Sequence, residues 1–512
     1  MPNFISEDDI ERAALIELQH QGFECLNCYT TDSEDLNDRS NRTDKRDVVL
    51  KDRLLTAAIR LNPDIPTPDI ERALTSLTSQ PAGRLATTIN RELDILIRDG
   101  IQIEYENAQG RKEQGRVKVI DFNDSRTDGN NEYLAVSQLW IKGEHRFRRP
   151  DILLYINGLP LVFIELKNSN VKVKNAFDDN LKNYKADIPQ LFYVNAVCIL
   201  SNAIDTKVGS FTAAWEYFFN WLRVEDEKEK IDRPQIEASG TSLERAIAGL
   251  CHPAKLLDYV ENFIVYYNES QKIIAQNHQF IGVNRAIDSF VNRKEKAGKL
   301  GVFWHTQGSG KSFSMIFYAR KIFRKLTGNF TFVIVTDRDD LDDQIYKNFL
   351  RTNTVTELEA ARPKNGEEMR KFLSQNKRIV FTLIQKFRYA KGKVYPTLSD
   401  RDDIIVIVDE AHRTQYKTLA ENMRKGLENA NFLAFTGTPL LGKDRKTNKW
   451  FGDYISEYNF SQSMDDGSTV PLFHQKRVPE VLIQNQDLSE EFYPGLFHSE
   501  MIATSNANIT IQ

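Results

Sequence analysis

Two short strings in the sequence carry residue types that could bind and hydrolyse a nucleoside triphosphate. The string His-Thr-Gln-Gly-Ser-Gly-Lys-Ser occupies residues 305–312, and Asp-Glu-Ala-His occupies residues 409–412. Glycines let backbone N–H groups surround phosphate oxygens, and the lysine that follows them can reach the β- and γ-phosphates. An adjacent aspartate and glutamate can hold Mg²⁺ and orient the attacking water. Together the strings predict a magnesium-dependent ATP site.

The first string predicts a loop between a strand and a helix. Its predicted cofactor-binding residues are Thr306, Gly308, Ser309, Gly310, Lys311 and Ser312. Lys311 is placed to reach the β- and γ-phosphates, and the Ser312 hydroxyl is placed to ligate magnesium where a helix is expected over 312–323. A strand is expected over residues 300–304, before the loop. His305 occupies the position at which the strict phosphate-loop pattern has glycine. A glycine-rich turn without a ligand is the alternative, which the second string disfavours.

The second string follows an unbroken β-branched run at 404–408. Such a run is typical of a strand buried on both faces of a parallel sheet. At the carboxyl edge of that sheet Asp409 would hold magnesium, and Glu410 would orient and polarise the water that attacks the γ-phosphate. A helix cap is the alternative for an isolated Asp-Glu pair, but the preceding phosphate loop favours the catalytic interpretation.

A second group of chemistry-bearing residues surrounds a predicted β-hairpin. Asp151 precedes the apolar runs 152–156 and 159–164, and Glu165 and Lys167 follow them. The Asn-Gly pair between the runs predicts a tight turn. Glu165 and Lys167 are two residues apart on a strand and therefore project from one face.

The register of this hairpin decides whether its carboxylates can share a metal ion. A regular two-residue turn would pair Asp151 with Ile164 and leave Asp151 on the face opposite Glu165. Shared metal binding therefore predicts a one-residue register adjustment, such as a type I turn with Gly158 in a bulge.

With that adjustment, the group has the composition of a metal-dependent nuclease. Asp151 and Glu165 would hold Mg²⁺ through hard oxygen ligands, with the Leu166 carbonyl as a further candidate. Lys167 would position or activate the attacking water and offset charge on the phosphodiester. The alternative is that Glu-Leu-Lys is an ordinary solvent-facing charged pair, which Asp151 and the hairpin make less favourable.

Three further segments follow strands predicted at 331–336, 379–383 and 432–436. Their candidate residues are Arg338, Gln385, Thr436 and Thr438. With the relaxed phosphate loop, these segments resemble the first-domain motifs of superfamily 2 helicases, which implies contacts to a DNA backbone that are coupled to ATP. Gln279 resembles the glutamine with which those helicases read adenine, and a plain surface residue is the open alternative.

The order of all these strings resembles the R subunit of type I restriction enzymes over nearly the whole chain. The resemblance rests on Arg-Pro-Asp at 149–151, Asn-Gly-Leu-Pro-Leu at 157–161, Ile-Glu-Leu-Lys at 164–167, the phosphate loop, Asp-Glu-Ala-His-Arg at 409–413 and Phe-Thr-Gly-Thr-Pro at 435–439. It implies an α/β fold with a PD-(D/E)xK restriction-endonuclease-like domain followed by a RecA-like P-loop (superfamily 2 helicase) domain. It implies cleavage by Asp151, Glu165 and Lys167, and ATP hydrolysis by Lys311, Ser312, Asp409 and Glu410.

The same resemblance points to residues that support the nuclease site. Many family members carry a Gln-x-x-x-Tyr helix after the nuclease strands, and here Asn180 replaces the glutamine while Tyr184 matches. Glu11, in an amphipathic helix predicted over 10–19, resembles the supporting acid of the first helix in such nucleases. A solvated helix face is the alternative for Glu11.

The length of 512 residues predicts roughly three domains. The expected order is a nuclease domain at 1–222, a charged connector and helical region at 223–275, a first RecA-like motor domain at 276–462, and the start of a truncated second motor domain at 463–512. The charge run 224–230 predicts a solvated connector. No Gln-x-x-Gly-Arg-x-x-Arg string follows Thr438, so this form is expected to bind ATP without translocating DNA.

The composition restricts the partners of the chain. A net charge of −4 and a pI near 6.2 mean that DNA contact needs a local basic track. Lys142, Arg146, Arg148 and Arg149 could supply one, and an ordinary charged loop is the alternative. The absence of both a signal pattern and an apolar run of about eighteen residues predicts a cytoplasmic protein without a membrane segment. Four cysteines fit reduced thiols, and Cys25-x-x-Cys28 lacks the second pair that a zinc site requires.

The resemblance implies ATP-fuelled translocation of double-stranded DNA coupled to Mg²⁺-dependent endonucleolytic cleavage, the activity of a type I site-specific deoxyribonuclease. It also implies a complex with a methyltransferase (M) subunit and a specificity (S) subunit, with S-adenosylmethionine as cofactor of the assembly. The alternatives are a free-standing helicase–nuclease of DNA repair, a single-chain restriction enzyme, and a non-catalytic protein that binds nucleotide and DNA. A longer reading frame with a fused methyltransferase would distinguish the single-chain enzyme.

Overall fold

The computed structural model describes residues 4–80, 83–107, 109–124, 126, 129–375, 377–390, 393–409, 417–438 and 450–469. Glu410 and most of the expected second motor domain lie outside these ranges. Residues Met1–Thr469 form one compact unit, so the boundaries drawn from the sequence within this unit stay predictions. None of the helices in the described ranges combines the length and apolarity that a bilayer crossing needs.

The described elements confirm the predicted α/β class. The strands are β1 Glu24–Asn27, β2 Ile101–Glu106, β3 Lys112–Val117, β4 Tyr133–Ser137, β5 Ile141–Lys142, β6 Phe147–Arg148, β7 Ile152–Ile156, β8 Leu159–Leu166, β9 Val197–Ser201, β10 Thr206–Gly209, β11 Phe219–Asn220, β12 Ile264–Tyr267, β13 Gln271–Ile274, β14 Lys299–His305, β15 Thr331–Thr336, β16 Ala360–Ala361, β17 Ile379–Leu383, β18 Ile404–Asp409, β19 Asn431–Thr436 and β20 Tyr454–Tyr458. The helices are α1 Glu7–His20, α2 Lys51–Leu61, α3 Thr67–Thr78, α4 Ala86–Asp99, α5 Lys182–Asp187, α6 Arg233–Ser239, α7 Ser242–Ala246, α8 Pro253–Asn262, α9 Asn277–Val291, α10 Lys311–Lys325, α11 Asp339–Arg351, α12 Gly366–Ser374, α13 Lys417–Gly426 and α14 Phe460–Asp465.

The first half of the chain forms a mixed sheet of seven described strands in the order β1-β4-β7-β8-β9-β10-β11. Its central strands β7 and β8 are buried along their whole length, because their apolar side chains pack on both faces. Helix α1 contributes Ile10, Ala14 and Leu18 to the core on one face. On the other face, the short π-helix Ala176–Leu181 and helix α5 contribute Leu181 and Tyr184 to the core.

The β7–β8 hairpin confirms the predicted one-residue register adjustment but places it elsewhere. Asn157 and Gly158 both have positive φ, at 51° and 78°, as a two-residue type I′ turn requires. The extra residue is Leu161, because Tyr155 pairs with Pro160 whereas Leu154 pairs with Val162. The expectation of a bulge at Gly158 was therefore wrong. Proline lacks the N–H that a regular ladder needs, which favours a bulge beside it.

The second half forms a parallel sheet whose described strands run in the order β16-β17-β15-β18-β19-β14-β20. The predicted strands 331–336 and 379–383 match β15 and β17, and the predicted run 404–408 lies in β18 with both faces buried. The carboxyl ends of parallel strands meet at one edge of a sheet. That edge therefore collects the described residues that follow β14, β15, β17 and β19, together with Asp409 at the end of β18.

The segment between the two sheets is only in part the solvated connector that its charges predicted, because Glu225, Lys228 and Lys230 are exposed whereas Glu227 is buried. Glu227 is 2% exposed and Arg223 is 2% exposed. Their partners, Ser456 and Asp466, lie more than two hundred residues later in the chain, which is why local charge patterning missed them. The expected helical region also contains an antiparallel hairpin, β12–β13.

Candidate functional site

The predicted nuclease residues converge at the end of β8. Ile152 pairs with Ile164 across the antiparallel strands. The same register, continued by one residue, places Asp151 opposite Glu165. The Asp151 Oδ2 accepts a hydrogen bond from the Leu166 N–H at 2.7 Å. Lys167 Nζ lies 3.4 Å from Glu165 Oε1 and donates to the Leu166 carbonyl at 2.6 Å. The structure therefore brings the two carboxylates, the lysine and the carbonyl into one cluster.

The π-helix Ala176–Leu181 and helix α5 each place one side chain against the Glu165 carboxylate. The Asn180 amide donates to Glu165 Oε1, so the residue that replaces the expected glutamine still reaches the site. The Tyr184 hydroxyl lies 3.4 Å from the same oxygen and donates to the Arg149 carbonyl at 3.1 Å. Both candidate supporting residues thus contact the cluster.

Glu11 supports Asp151 through a residue that the sequence reasoning missed. The Gln138 Nε2 donates to Glu11 Oε2 and lies 3.4 Å from Asp151 Oδ1. The Gln138 N–H also donates to the Asp151 carbonyl at 3.0 Å. Burial raises the pKa of Glu11, so a freely solvated helix face no longer describes it. Gln138 directly follows the buried strand β4 and has a positive φ of 57°, a backbone conformation that the sequence alone does not indicate.

The electrostatics of this cluster suit a divalent cation. Burial raises the pKa of Asp151 to about 7 and that of Glu165 well above its usual range, with the neighbouring carboxylate adding to the shift at Glu165. Within the described part of the chain, the buried Glu165 Oε2 has no hydrogen-bond partner. A cation would satisfy that oxygen and offset both negative charges. Among the described residues, no third His, Cys, Asp or Glu completes a metal-binding group, which leaves the Leu166 carbonyl as the nearest further ligand candidate.

The basic residues ahead of Asp151 are largely engaged within the protein. Lys142 pairs with Glu34 at 2.8 Å and Arg148 with Asp187 at 2.5 Å. The Arg149 guanidinium lies over the rings of Tyr29 and Trp140, at 5.0 and 4.9 Å from their centroids. A basic track at this position therefore rests mainly on Arg149 and on Arg146.

The phosphate loop joins β14 to α10, close to the predicted bounds. Gly308 and Gly310 both have positive φ, at 84° and 76°. A Cβ at Gly310 would lie 2.7 Å from Gln279 Nε2, because Gln279 packs on the loop and donates to the Gly310 carbonyl at 3.0 Å. Gln279 is 4% exposed, so the plain-surface alternative is wrong.

The Lys311 ammonium and the serine hydroxyls of the loop are positioned where they could bind a phosphate group. Lys311 Nζ lies 3.2 Å from the His305 carbonyl and 3.5 Å from the Thr306 carbonyl, so it curls over the loop. Among the residues that the structure describes, none is a hydrogen-bond partner of the buried Ser309 Oγ, and none lies within 4 Å of the position that a Cβ of Gly308 would take. Ser312 lies in the first turn of α10, and Asp409 ends β18. These features fit bound nucleotide phosphates and magnesium.

His305 belongs to a buried network beneath the loop. Its Nε2 lies 2.6 Å from Ser456 Oγ, and that hydroxyl donates to Glu227 Oε1 at 2.5 Å. The His278 ring stacks on Tyr458 at 3.8 Å, and its Nε2 is 2.9 Å from the Ser309 carbonyl. The residue that departs from the strict loop pattern therefore links the loop to β20 and to the connector.

The remaining motif residues line the carboxyl edge of the parallel sheet. Gln385 donates to the Asp337 carbonyl at 2.8 Å, and Arg338 pairs with Asp340 at 2.6 Å. The Thr438 N–H donates to Thr436 Oγ1 at 3.2 Å. Glu410 lies outside the described residues. This edge, with its phosphate loop, defines the second half as an ATPase of the helicase-like motor class.

Comparisons with known proteins identify both halves. The family "Type I restriction enzyme R protein N terminus (HSDR_N)" matches residues 4–217, and "SWI2/SNF2 ATPase" matches residues 278–500. The chain is 36% identical over 496 residues to the type I restriction enzyme HindI endonuclease subunit of Haemophilus influenzae, covering 92% of this chain and 46% of that protein. It is 34% identical over 509 residues to the putative MjaIXP endonuclease subunit of Methanocaldococcus jannaschii, covering 94% and 47%. The chain belongs to the family of type I restriction enzyme R subunits, and it spans slightly less than half the length of these relatives.

Solved structures show a weaker likeness. The UvsW helicase of bacteriophage T4 matches with a TM-score of 0.30 and 15% identity over 39% of this chain and 66% of that chain. The type ISP restriction-modification enzyme LlaBIII bound to DNA matches with a TM-score of 0.27 and 15% identity over 38% and 16%. Scores this low support no argument about fold or ligand.

Proposed function

We propose that the chain is the nuclease and ATP-binding part of an R subunit that moves along double-stranded DNA and cleaves it with Mg²⁺. One observation carries the proposal: the bulge at Leu161 sets Asp151 against Glu165 in the same compact unit as the phosphate loop. The proposed folds are a PD-(D/E)xK-type nuclease and a RecA-like motor domain. The proposed activity is that of an ATP-dependent type I site-specific deoxyribonuclease.

Four groups would act directly in cleavage. Asp151, Glu165 and the Leu166 carbonyl would hold Mg²⁺, which supplies Lewis-acid activation of the phosphodiester when bound. The Lys167 ammonium, at 3.4 Å from Glu165 Oε1, would hold the attacking water beside the carboxylate. Its charge would also offset the negative charge that grows on the phosphodiester.

Positioning residues would keep these groups aligned. Asn180 and Tyr184 restrain Glu165, whereas Gln138 joins Asp151 to Glu11. Such outer contacts orient ligands and commonly change metal affinity about 10-fold to 100-fold when they are lost.

The ATP site would use the carboxyl edge of the parallel sheet. Lys311 would contact the β- and γ-phosphates, and Ser312 and Asp409 would hold magnesium. Glu410 would orient the attacking water. Gln279, which already packs on the loop, would contact adenine. These assignments deepen the ATPase class that the family match gives.

The proposed architecture assigns 1–222 to the nuclease, 223–275 to the connector, 276–462 to the first motor domain and 463–512 to the start of the second. Because the relatives are about twice as long as the chain, translocation is proposed for the longer protein. By analogy with the family, that protein would assemble with M and S subunits, and the assembly would use S-adenosylmethionine.

The test measures cleavage of unmethylated circular DNA by a full-length R subunit with cognate M and S subunits, Mg²⁺ and ATP. Lys167→Ala is expected to abolish cleavage while leaving ATP hydrolysis, and Lys311→Ala is expected to abolish both. Lys174→Ala is the matched control, because Lys174 is an exposed lysine whose ion pair with the exposed Asp178 is long, at 3.7 Å. Full cleavage by Lys167→Ala would refute the nuclease assignment. Cleavage without M and S would instead favour a free-standing helicase–nuclease.

A further inference from the structure

An open cleft of about 730 Å³ lies between the first and second halves of the chain, away from both sites described above. Helix α4 forms one wall, and the C-terminal half of α10 forms the other. Tyr266 from the β12–β13 hairpin and the segment 352–354 after α11 complete the lining. Arg320 is nine residues from Lys311 on α10, or about 14 Å along a helix, so the cleft is separate from the phosphate loop.

The cleft contains more cationic than anionic side chains. Its lining includes Arg91, Arg98, Arg320, Arg324 and Arg378 against Asp94, Asp99 and Glu269. Arg91 pairs with Glu269 at 2.7 Å, and Arg98 pairs with Asp94 at 2.6 Å. Arg378 pairs outside the cleft with Glu359 at 3.3 Å. Arg98 also pairs with Asp99 at 3.2 Å. The lining acids are therefore all in ion pairs with other arginines, whereas Arg320 and Arg324, within the described ranges, are not.

Arg320 and Arg324 have no carboxylate ion-pair partner in the part of the chain that the structure describes. The Arg320 Nη1 donates to the Thr352 carbonyl at 3.4 Å, and its buried Nε has no hydrogen-bond partner. Arg324 contacts the Glu261 carbonyl and the Asn262 side chain. Burial and the nearby Arg98 lower the pKa of Arg320 to about 9 and that of Arg324 to about 10. Asp94 and Asp99 partly offset these charges, but two guanidinium groups without a direct carboxylate partner among the described residues lie on one face of α10.

Favourable interaction with the helix dipole explains only part of this arrangement. A cation in the last turn stabilises a helix C-terminus, and Arg324 occupies that turn. Arg320 lies one turn earlier and keeps unused donors. A planar guanidinium with unused N–H groups matches two oxygens of a phosphate.

We propose that this cleft is a second, non-catalytic phosphate-binding site, in which Arg320 and Arg324 take phosphate groups of a nucleic-acid backbone or of a free polyphosphate. Neither the nuclease residues nor the ATP loop contributes to it, so the proposal stands independently of the proposed function.

The test uses the whole chain with its phosphate loop filled by a non-hydrolysable ATP analogue. Binding of a short fluorescent DNA duplex and of tripolyphosphate is measured in the wild-type chain, in Arg320→Gln/Arg324→Gln and in Arg72→Gln/Arg111→Gln. The last variant is the matched control, because it removes two exposed arginines elsewhere. Loss of two charge-assisted contacts should weaken binding of the true ligand by about tenfold or more. For DNA, the slope of log affinity against log salt concentration should also fall by about two.

Each result has one meaning. A selective loss of duplex binding supports a nucleic-acid backbone, and a selective loss of tripolyphosphate binding supports a free polyphosphate. Equal affinities in the cleft variant and the control for both probes would overturn the proposal. If the glutamine variant fails to fold, Arg320→Lys/Arg324→Lys retains the charge but not the planar fork. That variant is then expected to bind more weakly than wild type, and unchanged binding would overturn the proposal equally.

Discussion

A single amide, that of Asn180, restrains one carboxylate oxygen of the proposed metal site. Replacing Asn180 with alanine removes the hydrogen bond to Glu165 Oε1 without changing a direct metal ligand. We predict that Asn180→Ala raises the Mg²⁺ concentration needed for half-maximal cleavage by about 10-fold to 100-fold, because outer contacts set ligand orientation. Cleavage by the complete enzyme, measured over a Mg²⁺ titration, tests this.

Asn175→Ala provides the comparison, because Asn175 is exposed one turn earlier. It should leave the Mg²⁺ dependence unchanged. A fall in cleavage by Asn180→Ala that excess Mg²⁺ does not restore would show that Asn180 acts on something other than metal affinity.

Gln279 has two separable roles at the phosphate loop. Its Oε1 accepts from the Gln276 N–H and caps α9, whereas its Nε2 donates to the Gly310 carbonyl. Gln279→Glu keeps the acceptor but places a carboxylate against that carbonyl. We predict about tenfold weaker binding of a fluorescent ATP analogue, the cost of one lost hydrogen bond and a new repulsion.

The matched change, Gln276→Ala, removes the other half of the same cap. It should lower stability by about 1 kcal/mol with little change in nucleotide affinity. Equal losses of affinity in the two variants would mean that Gln279 serves only as a cap.

At the residue scale, the sequence predicted the proposed metal-binding and lysine residues better than it predicted the residues that contact them. Asp151, Glu165 and Lys167 could be predicted because their chemistry and spacing are local. Gln138 could not, because its contact with Glu11 spans 127 residues. His278 was missed for the same reason, since its partner Ser309 lies on another element.

At the scale of elements, the turn between β7 and β8 fixes the hairpin that carries the proposed nuclease residues. Gly158 has a φ of 78°, and a Cβ there would lie 2.5 Å from the Leu50 carbonyl. We predict that Gly158→Ala lowers the free energy of unfolding by about 2–4 kcal/mol, through backbone strain together with the steric clash. Chemical denaturation measures this change.

The variant Gly83→Ala distinguishes the effect of backbone strain from that of the steric clash. Gly83 has a similar φ of 81°, but no described residue lies within 4 Å of the position that its Cβ would take. Gly83→Ala should lower the free energy of unfolding by only about 1 kcal/mol. Equal costs at the two positions would show that the approach of Leu50 contributes nothing.

Strand positions were predictable because continuous β-branched runs need burial on both faces, as β15, β17 and β18 show. The place of the bulge was not predictable, because a proline in the strand and a buried asparagine in the turn jointly decide it. Asn157 is held by the Val119 carbonyl, by Asn131 and by the Glu132 N–H. Those partners come from outside the hairpin.

At the scale of the whole molecule, a buried lysine joins the two halves. Lys272 of β13 donates to the Asn195 carbonyl at 2.5 Å and to Asn90 Oδ1 at 3.1 Å. Burial lowers its pKa from 10.5 to about 8. The folded state therefore bears a cost of about 3 kcal/mol below pH 8. Between pH 8 and 10.5 the unfolded chain binds the extra proton, so this cost disappears as pH rises.

Lys272→Met is predicted to raise the free energy of unfolding at pH 7. Both acceptors stay satisfied in this variant, because Asn90 donates to the Asn195 carbonyl and Tyr266 donates to Asn90 Oδ1. The gain should shrink towards zero between pH 8 and 10.5, measured as the difference from wild type by urea unfolding. A difference that does not vary with pH would show that Lys272 is not a buried charge.

The contacts that residues 220–227 make with the motor half also constrain how such proteins can exchange parts by recombination. Asn220 and Arg223 both contact Asp466, and Glu227 contacts Ser456, so residues on either side of position 222 are anchored in the motor half. A crossover at that point would join a nuclease from one parent to anchoring partners from another. Viable hybrids are expected to inherit 220–227 together with 456–466 from a single parent, which makes this pair of segments a unit of inheritance rather than a spacer.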